Sequence, residues 1–350
     1  MSRYICIGYL LLGLHWTGCS EAVDVYAPPQ TIWAVYGVLD PDKAIQTIRI
    51  TGAFQVLGDA YMYADTSDGG IRGLEVSIVG ENGMTYRAVQ VDSMLRDTLG
   101  DFGPYLTAYQ FETVGERRLR PGMRYDLRVR SGIDTTVFVQ AYTRIPPRPE
   151  ITFPNDISDP VGRCLRRVAF EDSTDIRFRS NPDMVPARAL RYEIRVLLRY
   201  FADGRYREHF FGPTRLFDRD NGCSGGSDRT YCYQLASGVV LHALRTAMQD
   251  SRTSYTYDAE PRCGGLFDDL SDAVEIQVTA VDTFLARHIL ANDPYFLNLN
   301  QVRIEYTNLQ GSVGVVGIFG SIAYDNLPVG LSPCSEYLLG FSRVRPSGCD

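Results

Sequence analysis

The chain has 350 residues, 45% of them hydrophobic and 22% charged, with a formal net charge of −7. These are ordinary globular proportions. An acidic chain without a basic run is not built to bind nucleic acid or to adhere to anionic lipid head groups.

The first element is a leader. Arg3 gives a short positive region, and residues 4–14 (YICIGYLLLGL) form an apolar run, well short of the ~20 residues that a membrane-spanning helix needs. WTGC follows, with Gly18 before Cys19, the small-residue-then-cysteine order that lipoprotein signal peptidase accepts. It resembles a bacterial lipobox, with Trp16 where an aliphatic residue is usual. We expect residues 1–18 to be a signal peptide, Cys19 to take lipid, and 19–30 to be a lipidated tether. Each buried CH₂ of an acyl chain contributes about 0.8 kcal/mol, and more than one chain makes anchoring stable. Glu21 and Asp24 are similar to the acidic residues that follow this cysteine in surface-exported lipoproteins of Bacteroidota. What remains is too long for one typical domain and comfortable for two.

Residues 31–147 read as strands of period two. The stretches are 31–39, 44–50, 73–80, 85–92, 105–113, 124–131 and 135–145, rich in β-branched and aromatic residues. LDPDK (39–43), GENG (80–83) and RPG (120–122) are turn chemistry. Seven strands predict an immunoglobulin-like β-sandwich. Its Cys–Trp–Cys core is missing, because no cysteine lies between 20 and 163. IPPRPEITFP (145–154) holds four prolines. Proline fixes φ and cannot donate to a ladder, so this segment is expected to be a stiff connector.

Residues 148–350 predict a second, larger β-sandwich with two short helices. Strands are expected at 164–172, 174–180, 190–201, 205–211 and 273–282, and helices at 236–250 and 282–290, the latter capped by Asp282. His242 and His288 fall at the margins of the helix stripes, where they read as packing side chains rather than ligands. GSVGVVGIFGS (311–321) carries glycines at 311, 314, 317 and 320. No Lys-Ser/Thr or amphipathic helix follows, so this is no phosphate loop. It reads as a buried strand whose glycines let another backbone approach.

Six cysteines follow the lipidation site: Cys164, Cys223, Cys232, Cys263, Cys334 and Cys349. An even number in an exported chain predicts disulfides. Short loops favour Cys223–Cys232 and Cys334–Cys349, which leaves Cys164–Cys263. Zinc is disfavoured, because there is no C-x₂-C and no histidine near a cysteine pair.

DRDNGC (218–223) begins like a calcium loop but puts Gly222 where an oxygen ligand belongs. A looser calcium site from Asp218, Asp220 and Asn221 is a weak metal candidate beside the reading as a polar turn, and the same two readings apply to Asp65 and Asp68 in ADTSDGG (64–70). No cofactor is expected. GCSGG (222–226) matches the letters G-x-S-x-G but has no strand-then-helix pattern around it to make a nucleophile elbow, so it reads as a cysteine-tethered loop, and FDDL (267–270) reads as a solvated acidic turn. The 22 tyrosines and 16 phenylalanines are the positive hint of a binding surface, but β-rich domains bury many aromatics and the core is the favoured reading.

Four stretches together resemble a large family of Bacteroidota outer-membrane lipoproteins known as a domain of unknown function. After the lipobox comes VYGVLDPDKAIQTIRI (35–50). LRPGMRYDLRVRSGIDTTVFVQAYTRIPPRPEI (119–151) is a turn, a Y-x-L-x-V strand and a strand ending in paired prolines. VTAVDTFLARHIL (278–290) and YTNLQGSVGVVGIFGS (306–321) complete the likeness, with Gly311–Ser312 where Gly-Gly is commoner. The resemblance implies a non-enzymatic outer-membrane protein, held to lipid through Cys19, that serves a TonB-dependent receptor in ligand capture or a surface complex. A carbohydrate-binding or adhesive surface module and a β-sandwich hydrolase with an acidic site are the alternatives.

Overall fold

The computed structural model describes residues 32–53, 69–95, 105–131, 138–153, 167–168, 173–180, 190–202, 205–211, 230–236, 238–249, 274–292, 306–311, 314–331, 333–338, 345–347 and 349. In chain order the strands are β1 (Ile32–Leu39), β2 (Ile45–Ala53), β3 (Leu74–Gly80), β4 (Thr85–Arg87), β5 (Val89–Leu95), β6 (Tyr105–Glu112), β7 (Arg124–Ser131), β8 (Phe138–Arg144), β9 (Glu150–Phe153), β10 (Arg167–Val168), β11 (Thr174–Arg179), β12 (Arg191–Ala202), β13 (Arg205–Phe211), β14 (Thr230–Leu235), β15 (Val274–Val281), β16 (Gln310–Gly311) and β17 (Gly314–Leu331). The α-helices are α1 (Val239–Gln249), α2 (Thr283–Ala291) and α3 (Pro333–Leu338).

The N-terminal strands form the expected sandwich. One layer runs β1-β2-β6-β5 and the other β8-β7-β3-β4. Lettered from A, these are A-B-E-D and G-F-C-C′, the strand order of an immunoglobulin fold. The stretch 85–92, expected as one strand, is two. The chain leaves one sheet after Arg87 and joins the other at Val89, and the Ala88 N–H still donates to Val76 O at 2.9 Å. Alternation explains the core: Val35, Ile48, Ile50 and Tyr109 point inward from one layer, and Ile78, Tyr125, Leu127 and Val139 from the other.

Tyr125 lies at the start of β7, and its hydroxyl accepts from the Arg120 N–H at 2.8 Å. This is the tyrosine corner of sandwich folds, built here on RPGMRY. Leu127, two residues on, fills the place of the antibody cysteine. Changing Tyr125 to Phe leaves the packing and orphans that N–H, so urea denaturation is expected to show a loss of about 1–2 kcal/mol.

The second sandwich shares the first sheet. The large sheet runs β13-β12-β15-β17-β1-β2-β6-β5, with β10 also on β17, and the three-stranded sheet β14-β11-β9 covers its C-terminal wing. Phe178 of β11 meets Tyr192 of β12 with ring centroids 4.9 Å apart, and stacks on Tyr231 of β14 at 5.3 Å. The expected division at 147/148 is therefore crossed by one sheet. Strand β17 pairs parallel with β1 through Ile32↔Gly314 to Leu39↔Ser321, then antiparallel with β15 from Val281↔Ile322 to Val274↔Val329. Its Phe319 is buried in the N-terminal core. The proline segment is a connector only in part. Glu150–Phe153, the proline-free run between Pro149 and Pro154, forms β9 against β11, and the Ile151 N–H donates to Asp325 Oδ2 at 3.0 Å.

Among the described residues no helix is long and apolar enough to cross a membrane.

Candidate functional site

The sheet β16-β8-β7-β3-β4 buries one face and presents the other. On β7 the inward residues are Tyr125, Leu127 and Val129, so Arg124, Asp126 and Arg128 point outward; on β8, Gln140, Tyr142 and Arg144 do the same. Register lines them up across strands: Asp126 opposite Tyr142, Arg128 opposite Gln140, and Gln140 opposite Gln310. Between these side chains lies a polar groove of about 440 Å³, inside the size range of small-molecule sites.

Its wall is pre-organised. The Arg124 guanidinium donates to Asp126 Oδ1 through Nε at 3.0 Å and Nη2 at 2.6 Å, and lies over the Tyr142 ring at 4.1 Å from the centroid. Cation and carboxylate neutralise each other, and the stacking fixes the phenol. Tyr142 also meets Phe284 of α2 in a T-shaped contact at 5.0 Å. Asn308 holds the floor: its Nδ2 donates to Tyr142 O and Phe319 O at 3.1 and 2.8 Å, and its Oδ1 accepts from the Phe319 N–H at 3.1 Å. Gln140 Nε2 donates to Gln310 Oε1 at 3.3 Å. Arg128 is exposed and makes no side-chain hydrogen bond or ion pair among the described residues.

Next to this groove sits a buried carboxylate. Asp282 follows β15 and caps α2, its Oδ1 accepting from the Phe284 N–H at 2.7 Å and the Leu285 N–H at 3.3 Å. Its Oδ2 accepts from the Ser321 N–H and, at 3.4 Å, from the Ser321 hydroxyl. That hydroxyl also lies 2.8 Å from Thr143 Oγ1 and 3.0 Å from Arg144 O, its single proton serving either Arg144 O or Asp282 Oδ2. Asp282 is only 4% exposed, and burial pushes its carboxyl up to about 6 against the pull of these donors. A shifted carboxyl is a functional candidate in principle. Here both oxygens are occupied by partners within the fold, and the group ties β15, α2, β17 and β8 together where β17 changes neighbour.

Of the residues singled out in the sequence, Cys334 and Cys349 form a disulfide with Cα atoms 5.5 Å apart. Cys232 is disulfide-bonded, its partner outside the described residues. Cys19, Cys164, Cys223 and Cys263, and with them Asp65, Asp68, Asp218, Asp220, Asn221, residues 222–226 and 267–270, also lie outside the described residues. His288 is half-buried, its Nδ1 3.0 Å from Tyr306 O and its ring edge-on to Tyr36; His242 is exposed on α1. Among the described residues no three His, Cys, Asp or Glu side chains gather as a metal site.

Nothing local in the sequence marks the groove residues. Arg124, Asp126 and Tyr142 read as the solvated face of two strands, and only register brings them together with Asn308 and Gln310, far along the chain.

No protein-family model matches the chain, and a search of curated proteins returns no significant relative.

Proposed function

We propose that the chain is a non-catalytic lipoprotein of the outer membrane, anchored through Cys19, that captures a polar ligand on the outer face of its five-stranded sheet for a TonB-dependent transporter. The observation that carries this reading is the groove. It is polar, pre-formed and open, and its aromatic and charged wall is held by contacts within the fold, as a recognition surface requires. The leader and lipobox point to export, and the Cys334–Cys349 disulfide fits an oxidising compartment. Lipid on the first mature residue would leave the sandwich tethered by 19–30 and free to dock.

The test is purification of the native protein from membranes in mild detergent. The expected result is a diacylglyceryl-modified Cys19 by mass spectrometry and co-elution with a large β-barrel partner. An unmodified Cys19 thiol, or a protein that elutes alone after gentle extraction, overturns it.

A further inference from the structure

We infer that the groove binds an acidic oligosaccharide, a short chain of sugars bearing repeated carboxylates; the inference rests on the ligand-capture role and specifies its ligand.

The groove's cations differ in what they already hold. Arg124 is committed to Asp126 and stacks on Tyr142, so neither a base nor a sugar ring can stack on the covered side of that phenol. Arg128 is the uncommitted cation in the groove. A guanidinium presents a planar fork that fits a carboxylate with two parallel hydrogen bonds. Beside it stand Gln140 and Gln310, whose amides both donate and accept and so suit hydroxyl groups. The remaining Asp126 oxygen is an acceptor for another hydroxyl, its charge offset by Arg124.

Register extends the site. Gln310, Gln140, Arg128, Ser77 and Arg87 are successive cross-strand neighbours on one face of all five strands. At a strand spacing of ~4.8 Å this row spans about 19 Å, with Arg128 and Arg87 about 10 Å apart. Arg87 is exposed and, like Arg128, unpaired among the described residues. Two free guanidiniums on one row, separated by a hydroxyl and continued by two amides, match a hydroxyl-rich polymer with recurring negative charge. In a chain of net charge −7 this is local complementarity, not a general attraction. An extended peptide fits less well. β7 is paired on both sides, and β16 covers the outer edge of β8 at Val139 and Gln140, so the backbone in the groove offers no long free ladder, and the groove gives apolar side chains no pocket.

The experiment is calorimetric titration of the full-length lipidated protein in detergent at low salt, with tri-galacturonate, the neutral galactose trimer and a nucleoside diphosphate. Tri-galacturonate is expected to bind at least tenfold more tightly than the other two. Arg128→Gln is expected to weaken it about ten- to a hundredfold, the loss of a charge-assisted pair, and Arg87→Gln less. Arg195→Gln, on the other wing and paired with Glu193, is expected to change nothing. Equal binding of the neutral trimer, tighter binding of the nucleotide, no binding of the acid trimer, or an Arg128→Gln protein with wild-type melting and wild-type affinity overturns the inference. The titration needs no transporter. Failure here leaves the accessory role standing, whereas intact binding without a β-barrel partner removes that role and keeps the ligand.

Discussion

Replacing Asp282 with alanine is expected to lower the unfolding free energy by about 2–4 kcal/mol. The sum has two parts: an N-cap is worth ~1 kcal/mol, and a buried N–H left without its acceptor costs about 1–3 kcal/mol. Ser321 N–H is that donor, in the middle of the 18-residue strand β17. An asparagine side chain in place of the carboxylate would keep an oxygen for the Phe284 and Leu285 amides but turn its NH₂ toward the Ser321 N–H, donor against donor. Asp282→Asn is therefore expected to fall between alanine and wild type. Chemical denaturation at pH 7 measures both; an alanine variant with the wild-type midpoint refutes the tie.

The same carboxyl gives a pH signature. Its folded value, about 6, lies above the ordinary 3.8, so the folded state holds the proton more tightly than the unfolded chain. Its contribution is then fully present below 3.8, declines as pH rises through 6, and is flat above. The swing is about 3 kcal/mol, at 1.36 kcal/mol for each tenfold change in proton affinity. The difference in stability between wild type and Asp282→Asn is therefore expected to narrow from pH 4 to pH 7. A pH-independent difference contradicts the raised value.

Gly317→Ala is expected to prevent folding, or to cost more than about 4 kcal/mol, the range reserved for severe backbone and packing conflicts. Gly317 has φ +106, a region that L side chains avoid, and it pairs directly with Val35 in the parallel β1–β17 ladder. A Cβ there would overlap the Val35 carbonyl oxygen and lie 2.9 Å from its carbon and 3.0 Å from its nitrogen. The Val35 backbone cannot yield as a side chain can. Gly314 is the control: its added Cβ would meet Ile32 Cγ1 at 3.2 Å, part of a movable side chain, so Gly314→Ala is expected to stay within about 1 kcal/mol. Soluble yield and thermal midpoint separate the two. Equal behaviour of the two variants would show that the close approach at Gly317 is not what holds the seam.

Both positions serve one seam. Strand β17 begins as a neighbour of β1 and ends as a neighbour of β15; Gly317 admits the first pairing and Asp282 secures the change of partner at Ser321. The groove depends on the same seam, since Asn308 binds Phe319 of β17 and Tyr142 of β8 at once. A lesion at either position is expected to loosen the groove wall as well as the fold.

Local pattern was enough for the class of fold and most of its strands. Alternation at 32–39, 74–80 and 124–131 reflects one buried and one wet face, and that periodicity is printed in the residues themselves. The cap at Asp282, the Cys334–Cys349 pairing and the close approach at the glycine strand were legible for similar reasons, because each depends on neighbours in the chain or on the absence of a side chain. RPGMRY held the tyrosine corner in plain view, and a hydroxyl aimed five residues back could have been sought there. Which strands become neighbours was not legible. Pairing of β1 with β17 joins residues nearly a whole chain apart, and period-two sequences are alike in what they can pair with, so burial of Phe319 beneath the first sandwich, and not any local preference, selects the partner. The split at Ala88, the strand inside the proline segment and the row from Gln310 to Arg87 follow from that long-range register, which the full set of contacts specifies and no single stretch contains.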